Sequence, residues 1–407
     1  MRLAVLLIVT GAILLGDLAG VFTGALDHPA IEYSTRSVHD PVAALNKKLD
    51  EGQTLQFEPA HGYLKAVLDA LGVPLESQVA VFAKSSSQQH LINPANARAI
   101  YFNDAVAVGW VRGGALLEIA SEDPEQGTIF YTLNQLDIQR QGASPRLKRR
   151  DDCLICHESY DTMGVPGMLL RSVYPASNGF VMRELGSYNV DHRVAFAHRW
   201  GGFFVTGETD ALSHLGNAVY TLGNQGETGA ESVEANFKGY LTPKSDIVAL
   251  MVFDHQMHMT NLLTRIGWET RFALHEKTMT PEKLDGMVAG IVDYMLFVDE
   301  ARIGSPVRGT AGFEEKFAAQ GPFDSKGRSL RQFDLRRRMM RYPCSYMIYS
   351  KAFDGLPGVT KDAIYQRMWR VLSGEGRSRL SIDDRRAIVE ILRETKKDLP
   401  NYFRDTI

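Results

Sequence analysis

Cysteine is scarce in this chain: three in 407 residues, too few for the disulfide framework of a small secreted domain. An excess of positive charge is missing too. With 45 Lys and Arg against 48 Asp and Glu, the net charge is −3, and a nucleic-acid binder, normally basic along one face, is excluded. Past residue 25 no apolar run approaches the ~20 residues that span a bilayer, so membrane contact is confined to the N-terminus. No internal repeat and no low-complexity tract interrupts the chain. What remains is a long chain, 44% hydrophobic, able to bury a large core divided among two or three domains.

The N-terminus has the pattern of an export signal. Arg2 precedes an apolar run from Leu3 to Leu15, and Thr23 and Ala25 are spaced for cleavage after Ala25. Asp17 makes the run short for a membrane span, so residues 1–25 read as a signal peptide, with an uncleaved N-terminal anchor as the alternative.

Residues 26–150 read as a β-rich domain led by helices. PVAALNKKLD and HGYLKAVLDALGV repeat apolar residues near every 3.6 positions. VAVFAKS, ARAIYFN, VAVGWVRG, ALLEIAS and TIFYTLN then read as short strands of an antiparallel meander, barrel-like in outline. Residues 151–240 contain further short strands, in MLLRSVYP and VAFAHRWGGFFVTG, where Gly201 and Gly202 mark a bulge, a close backbone approach or a plain loop. Residues 241–407 read as helical. A long helix begins at Ser245 as N-cap, a second has Pro281 in its first turn, and others are expected over LRQFDLRRRMMR, KDAIYQRMWRVL and SIDDRRAIVEILRETKK, the last capped by Ser381. The expected fold class is α+β, a β-rich N-terminal half followed by a helical C-terminal half.

One pentapeptide stands out: Cys153-Leu154-Ile155-Cys156-His157. At this composition a chance C-x-x-C-H is expected on the order of 0.001 times per chain. Two thiols at this spacing can add across the two vinyl groups of one haem, and the adjacent imidazole then reaches the iron. The motif therefore predicts one covalent haem c, anchored by Cys153 and Cys156, with His157 as proximal ligand, lying between the two halves of the fold. Export and haem attachment agree, because the attachment takes place outside the bacterial inner membrane. Zinc would need a fourth ligand with knuckle spacing, and a thioredoxin-like pair would need a βαβ setting; the sequence shows neither. Cys344, between aromatic and apolar residues, reads as a small buried hydrophobe. Lys148-Arg149-Arg150, just before the motif, reads as a solvated loop, with a docking patch or a propionate contact as alternatives.

The other side of the iron separates a carrier from an enzyme, since two strong protein ligands favour electron transfer and an open position permits small-molecule chemistry. His255 is the first candidate. With Met251, His258, Leu262 and Ile266 it lies along one stripe of a helix, where a buried imidazole needs a partner for each nitrogen, either iron or hydrogen bonds. His258, Met168 and His214 are the alternatives; Met163, His192 and His198 are weaker ones. Arg193 and Arg199 are candidate propionate partners, and Trp200 a candidate for packing on a porphyrin.

The stretches ARAIYFNDAVAVGWV, CLICHESYDTMGVPGMLLRSV, HRWGGFFVTG, SHLGN, ALMVFDHQMHMTNLLTR and RRRMMRYPCSYMIYS carry a resemblance through most of the mature chain. It resembles c-type cytochromes in the broad sense and, more closely, a group of exported bacterial single-haem proteins of about 400 residues. The resemblance implies haem binding and electron transfer, and names no substrate. Two departures matter. Small class I cytochromes are about a quarter of this length, and di-haem peroxidases carry two C-x-x-C-H motifs where this chain has one. The expectation is a periplasmic mono-haem cytochrome, or one anchored to the inner membrane, that exchanges electrons with a redox partner protein or a small-molecule donor or acceptor. The alternative is a peroxidase-like haem enzyme or a sensor with an open distal site; a non-haem structural protein is the third reading.

Overall fold

The computed structural model describes residues 25–136, 145–223, 227–376 and 378–405. Residues 1–24, where the sequence pattern leads one to expect an export signal, lie outside the described residues. The fold is mixed α+β, with most strands in the N-terminal half and most helices in the C-terminal half.

Helices α1 (Pro41–Asp50) and α2 (Leu64–Leu71) come first. Asp40 caps α1 by accepting from the Val42 and Ala43 amides, with Pro41 at the first helical position where its missing N–H does no harm. The five predicted strands follow as β1 (Val79–Val81), β2 (Arg98–Phe102), β3 (Val106–Val111), β4 (Leu116–Asp123) and β5 (Gly127–Asn134). Then come β6 (Lys148–Arg149), the one-turn helix α3 (Leu154–His157), the hairpin β7 (Leu170–Val173) and β8 (Ser187–Val190), and β9 (Phe203–Phe204). The main sheet is antiparallel in the order β6-β5-β4-β3-β2-β1-β9. Among the described residues its end strands β6 and β9 do not pair with each other, so it is an open sheet rather than a barrel.

Both faces of that sheet are covered, which is why its strands are buried almost throughout. Ala99, Tyr101, Val108, Trp110, Leu117 and Ile119 pack with Leu45 of α1 and Leu64 and Val67 of α2. Val79, Val81, Phe102 and Ala107 point the other way and join a second, larger core. The pairings of β1 with β9 tie residues 203–204 to the N-terminal strands. Gly201 and Gly202 make this possible. The Gly202 carbonyl accepts from the Phe82 and Ala83 amides, and a Cβ on Gly201 would fall within the contact radius of the Val173 carbonyl oxygen. Of the three expectations for this pair, the close backbone approach is the one observed.

After β10 (Glu208–Thr209) and the ribbon β11 (Ala218–Leu222) and β12 (Thr228–Ser232), helix α4 (Ile247–His275) runs through the larger core. Its N-cap is Asp246 rather than Ser245. The Ser245 hydroxyl is held instead between β1 and the edge strand β9, accepting from the Ala80 amide and donating to the Phe204 carbonyl. Then follow α5 (Pro281–Met295), β13 (Val307–Arg308), α6 (Phe313–Ala318), α7 (Lys351–Asp354), α8 (Gly358–Ser373) and α9 (Ile382–Thr395). Ser381 caps α9 as expected, accepting from the Asp384 amide at 3.0 Å.

The helix expected over LRQFDLRRRMMR does not form. Residues 333–340 fold as a tight hairpin in which the Asp334 amide donates to Met339 and the Leu335 amide to Arg338. Leu335, Met339 and Met340 are buried, a spacing that serves a hairpin's inner side as well as a helical face. The Asp334 carboxylate accepts from the Arg336 and Arg337 amides, a local bond that competes with a helical ladder.

Candidate functional site

The C-x-x-C-H segment forms a single helical turn at the edge of the sheet. Leu154 is its buried anchor, and it points Cys153 into a half-buried position while Cys156 stays exposed. Both thiols are free, and burial pushes that of Cys153 upward from its ordinary pKa. Three residues apart, they lie on one side of the turn. Ile155 is 84% exposed and Tyr160 89% exposed, so apolar surface surrounds the thiols on the solvent side.

His157 is held from both sides. Its ring lies on Phe130 of β5, centroids 4.6 Å apart. Its Nδ1 is 2.9 Å from the Gly167 carbonyl oxygen, and the Gly167 amide donates to the His157 carbonyl at the same distance. A carbonyl only accepts, so Nδ1 carries the proton. Burial keeps the imidazole neutral by pushing its pKa below the ordinary value. Nε2 therefore presents a lone pair, and it has no hydrogen-bond partner among the described residues.

The Pro166-Gly167 turn brings the chain back to the motif. The group it delivers is the Gly167 backbone, not the Met168 side chain. Met168 packs among residues of both cores, and its carbonyl accepts from Asn261 Nδ2 of α4 at 2.7 Å. Asn261 lies so close over Gly167 that a Cβ there would collide with its amide. Thus α4 fixes the loop that fixes the imidazole. Met163 sits at the end of the intervening turn with φ +63°.

The distal candidates lie elsewhere on α4 and around it. His255 is fully buried, and both of its nitrogens have protein partners: Nδ1 meets His192 Nδ1 at 2.8 Å, and Nε2 meets Ser345 Oγ at 2.7 Å. Its ring stacks on Tyr294 and Phe297. Burial lowers the pKa of His255 to about 3 and that of His192 well below its usual value. His192 Nε2 is buried with no partner among the described residues. His258 is half-buried. Its Nε2 accepts from Arg193 at 3.1 Å, its Nδ1 stands 3.7 Å from Asp191, and burial pushes its pKa down to about 4. His214 accepts the Gly216 amide at Nδ1 and meets the Trp200 ring edge-on; His198 stacks on Tyr188.

Arg193 and Arg199 are engaged within the protein. Arg193 grips Asp191, and the buried Arg199 donates to the Val194 and His192 carbonyls and stands 3.4 Å from Asp254. Trp200 donates to Asp254 at 2.9 Å. Despite these two neighbours, burial dominates Asp254 and raises its carboxyl pKa to about 7. The basic run before the motif is also internally bonded: Arg149 pairs with Asp151 and Arg150 with Asp152, leaving Lys148 to solvent. Cys344 is buried, as expected.

Sequence reasoning did not single out Phe130, Gly167, Asn261, Tyr294 or Ser345. Only Gly167 left a trace, as the second half of a Pro-Gly turn. Among the described residues no group of three or more His, Cys, Asp or Glu side chains is placed to hold a metal ion. The residues do fit a covalently held haem by their donor chemistry: two free thiols on one turn, a neutral imidazole with an available nitrogen, and bare apolar surface beside them. No family model matches this chain, and no curated protein or solved structure is significantly similar to it.

Proposed function

We propose that this is an exported mono-haem c-type cytochrome that transfers single electrons in the periplasm, free or held by its N-terminal segment. The observation that carries the reading is His157, whose Nδ1 proton is committed to Gly167 and whose Nε2 is open, on the same turn as the free thiols of Cys153 and Cys156. Cys153 and Cys156 would hold the haem as thioethers, each S–H adding across one vinyl double bond with its hydrogen going to the neighbouring carbon, and His157 would supply the nitrogen ligand. The haem, once bound, supplies one-electron chemistry at a potential set by its ligands and burial.

The chain's own residues do the rest. The Gly167 carbonyl fixes the tautomer and orientation of His157 and raises its basicity as a ligand. Phe130 restricts the ring, and Asn261 restrains the loop that carries Gly167. Ile155, Cys156 and Tyr160 present a surface edge, the arrangement that suits outer-sphere exchange with a redox partner protein or a small donor or acceptor.

One observation favours a second reading, a haem enzyme or sensor with an open or displaceable distal site. Both nitrogens of His255 are occupied by His192 and Ser345, and His258 Nε2 by Arg193, so each exists as a satisfied histidine without iron.

Visible spectroscopy of protein matured with a haem-attachment system decides between them. Sharp low-spin bands on reduction, unmoved by carbon monoxide, are expected for the carrier. A high-spin spectrum that shifts with carbon monoxide or peroxide overturns it in favour of the enzyme or sensor. Cys156→Ala is expected to leave no haem bound through that thioether.

A further inference from the structure

The 333–340 hairpin carries Arg336, Arg337 and Arg338 on its tip, with Arg341 just beyond it. Together with the first turn of α9 it walls a cleft of about 640 Å³. Binding clefts for small molecules commonly fall in the ~300–1,000 Å³ range. The four guanidinium groups are not equivalent. Arg338 is clamped by both Asp384 carboxylate oxygens, at 3.1 and 2.6 Å, and gives a third bond to the Arg341 carbonyl. Its Nε is buried and has no acceptor among the described residues. Arg337 reaches Asp334 at 3.3 Å and is otherwise open to solvent. The exposed guanidinium groups of Arg336 and Arg341 form no ion pair and no hydrogen bond among the described residues; that of Arg341 lies over the Tyr342 ring.

The backbone that carries these arginines is anchored in the core. Leu335 is held at φ +53°, a left-handed conformation unfavourable for a residue with a Cβ, while its side chain is buried. Buried Met339 and Met340 pin the other strand of the hairpin. The guanidinium fork matches carboxylate and phosphate geometry, so an unpaired arginine on a fixed backbone loses less freedom per hydrogen bond formed than a flexible ammonium would. The cleft also has an apolar part, formed by Phe333, Tyr342 and Ala387. On the α9 side stands Asp383, exposed and unpaired among the described residues. It disfavours a ligand that is anionic at both ends.

We propose that this cleft binds a small organic anion, one carboxylate or phosphate group held by Arg336 and Arg341 and an apolar body resting on Phe333 and Tyr342. The site is independent of the haem and of the electron-transfer reading.

Calorimetric titration of the full chain at fixed ionic strength in chloride tests this, with benzoate, phenyl phosphate and inorganic phosphate as probes. Saturable binding of benzoate or phenyl phosphate is expected, and whichever binds more tightly names the head group. The double variant Arg336→Gln with Arg341→Gln should weaken that binding at least tenfold, and Asp383→Asn should tighten it severalfold. Opposite effects on the two walls would not arise from general damage to the fold. Arg379→Gln, which removes an exposed charge paired with Asp299, controls for net charge and should leave binding unchanged. Failure of all three probes to bind overturns the proposal. So does a double variant that binds like the parent, or a loss as large in Arg379→Gln.

Discussion

At the scale of single residues, two histidines in this chain have opposite fates because of what surrounds their second nitrogen. His157 keeps Nε2 available, since its only strong bond is to a backbone carbonyl. His255 has both nitrogens engaged inside the core, which the stripe on its helix could announce but not specify. The engagement has a pH signature. The unfolded chain protonates His255 near its ordinary pKa of about 6.5, whereas the native state resists protonation down to about 3. Its contribution to stability is complete above about 6.5 and is lost progressively as the pH falls towards 3. Asp254 and Glu300, raised to about 7 by burial, act oppositely and lower stability as the pH rises from ~4 to 7. His255→Asn should therefore flatten the acid side, reducing the slope of unfolding free energy between pH 6 and 4 by about 1.4 kcal/mol per unit. Urea titrations of parent and variant at several pH values check it; parallel profiles would refute it. Asn261→Ala belongs to the same scale. It removes the 2.7 Å bond to Met168 and should lower stability by about 1 kcal/mol. It should also broaden or shift the spectrum of the haem-loaded protein, which a loss of packing remote from His157 would not do.

At the scale of elements, α4 organises the molecule. Its N-terminus is fixed by one carboxylate with two duties. Asp246 Oδ1 accepts from the Val248 and Ala249 amides of its own helix, and Oδ2 from the Thr310 and Ala311 amides of a distant loop. Asp246→Ala strands buried donors on both sides, so a loss of about 2–4 kcal/mol is expected in chemical denaturation. Asp246→Asn, which keeps an acceptor, should recover part of it. The hairpin at 333–340 is the element the sequence misassigns. Hydrophobic residues at 335, 339 and 340 satisfy a helical period and also the inside of a tight turn. Asp334 decides the matter by bonding the amides two and three residues on, and that choice sets the arginines at a tip rather than along a helix. By contrast the five central strands were readable, since each is short, rich in β-branched and aromatic residues, and bounded by turn formers.

At the scale of the whole molecule, the two cores share one sheet, and Met168 packs against both. Strand β9 pairs with β1, so the chain returns from residue 203 to complete a sheet begun at residue 79. Such sharing predicts one cooperative unfolding transition for the described body. Trp110 and Trp268 report on one core and Trp200 on the other. Their fluorescence and far-ultraviolet circular dichroism should follow coincident urea curves; separated midpoints would show that the cores unfold independently.

By itself the sequence determined the local chemistry: the two thiols and imidazole on one turn, the short central strands, the Ser381 cap and the scarcity of cysteine that leaves those thiols free. These features depend on residues a few positions apart. Tertiary structure decided what each imidazole meets. His192 and Ser345 lie 63 and 90 residues from His255, and Asn261 lies 93 from the carbonyl it holds. No periodicity spans such separations. The pairings exist because α4 is buried, and the segments that carry Met168, His192 and Ser345 supply hydrogen-bond partners that water cannot reach there.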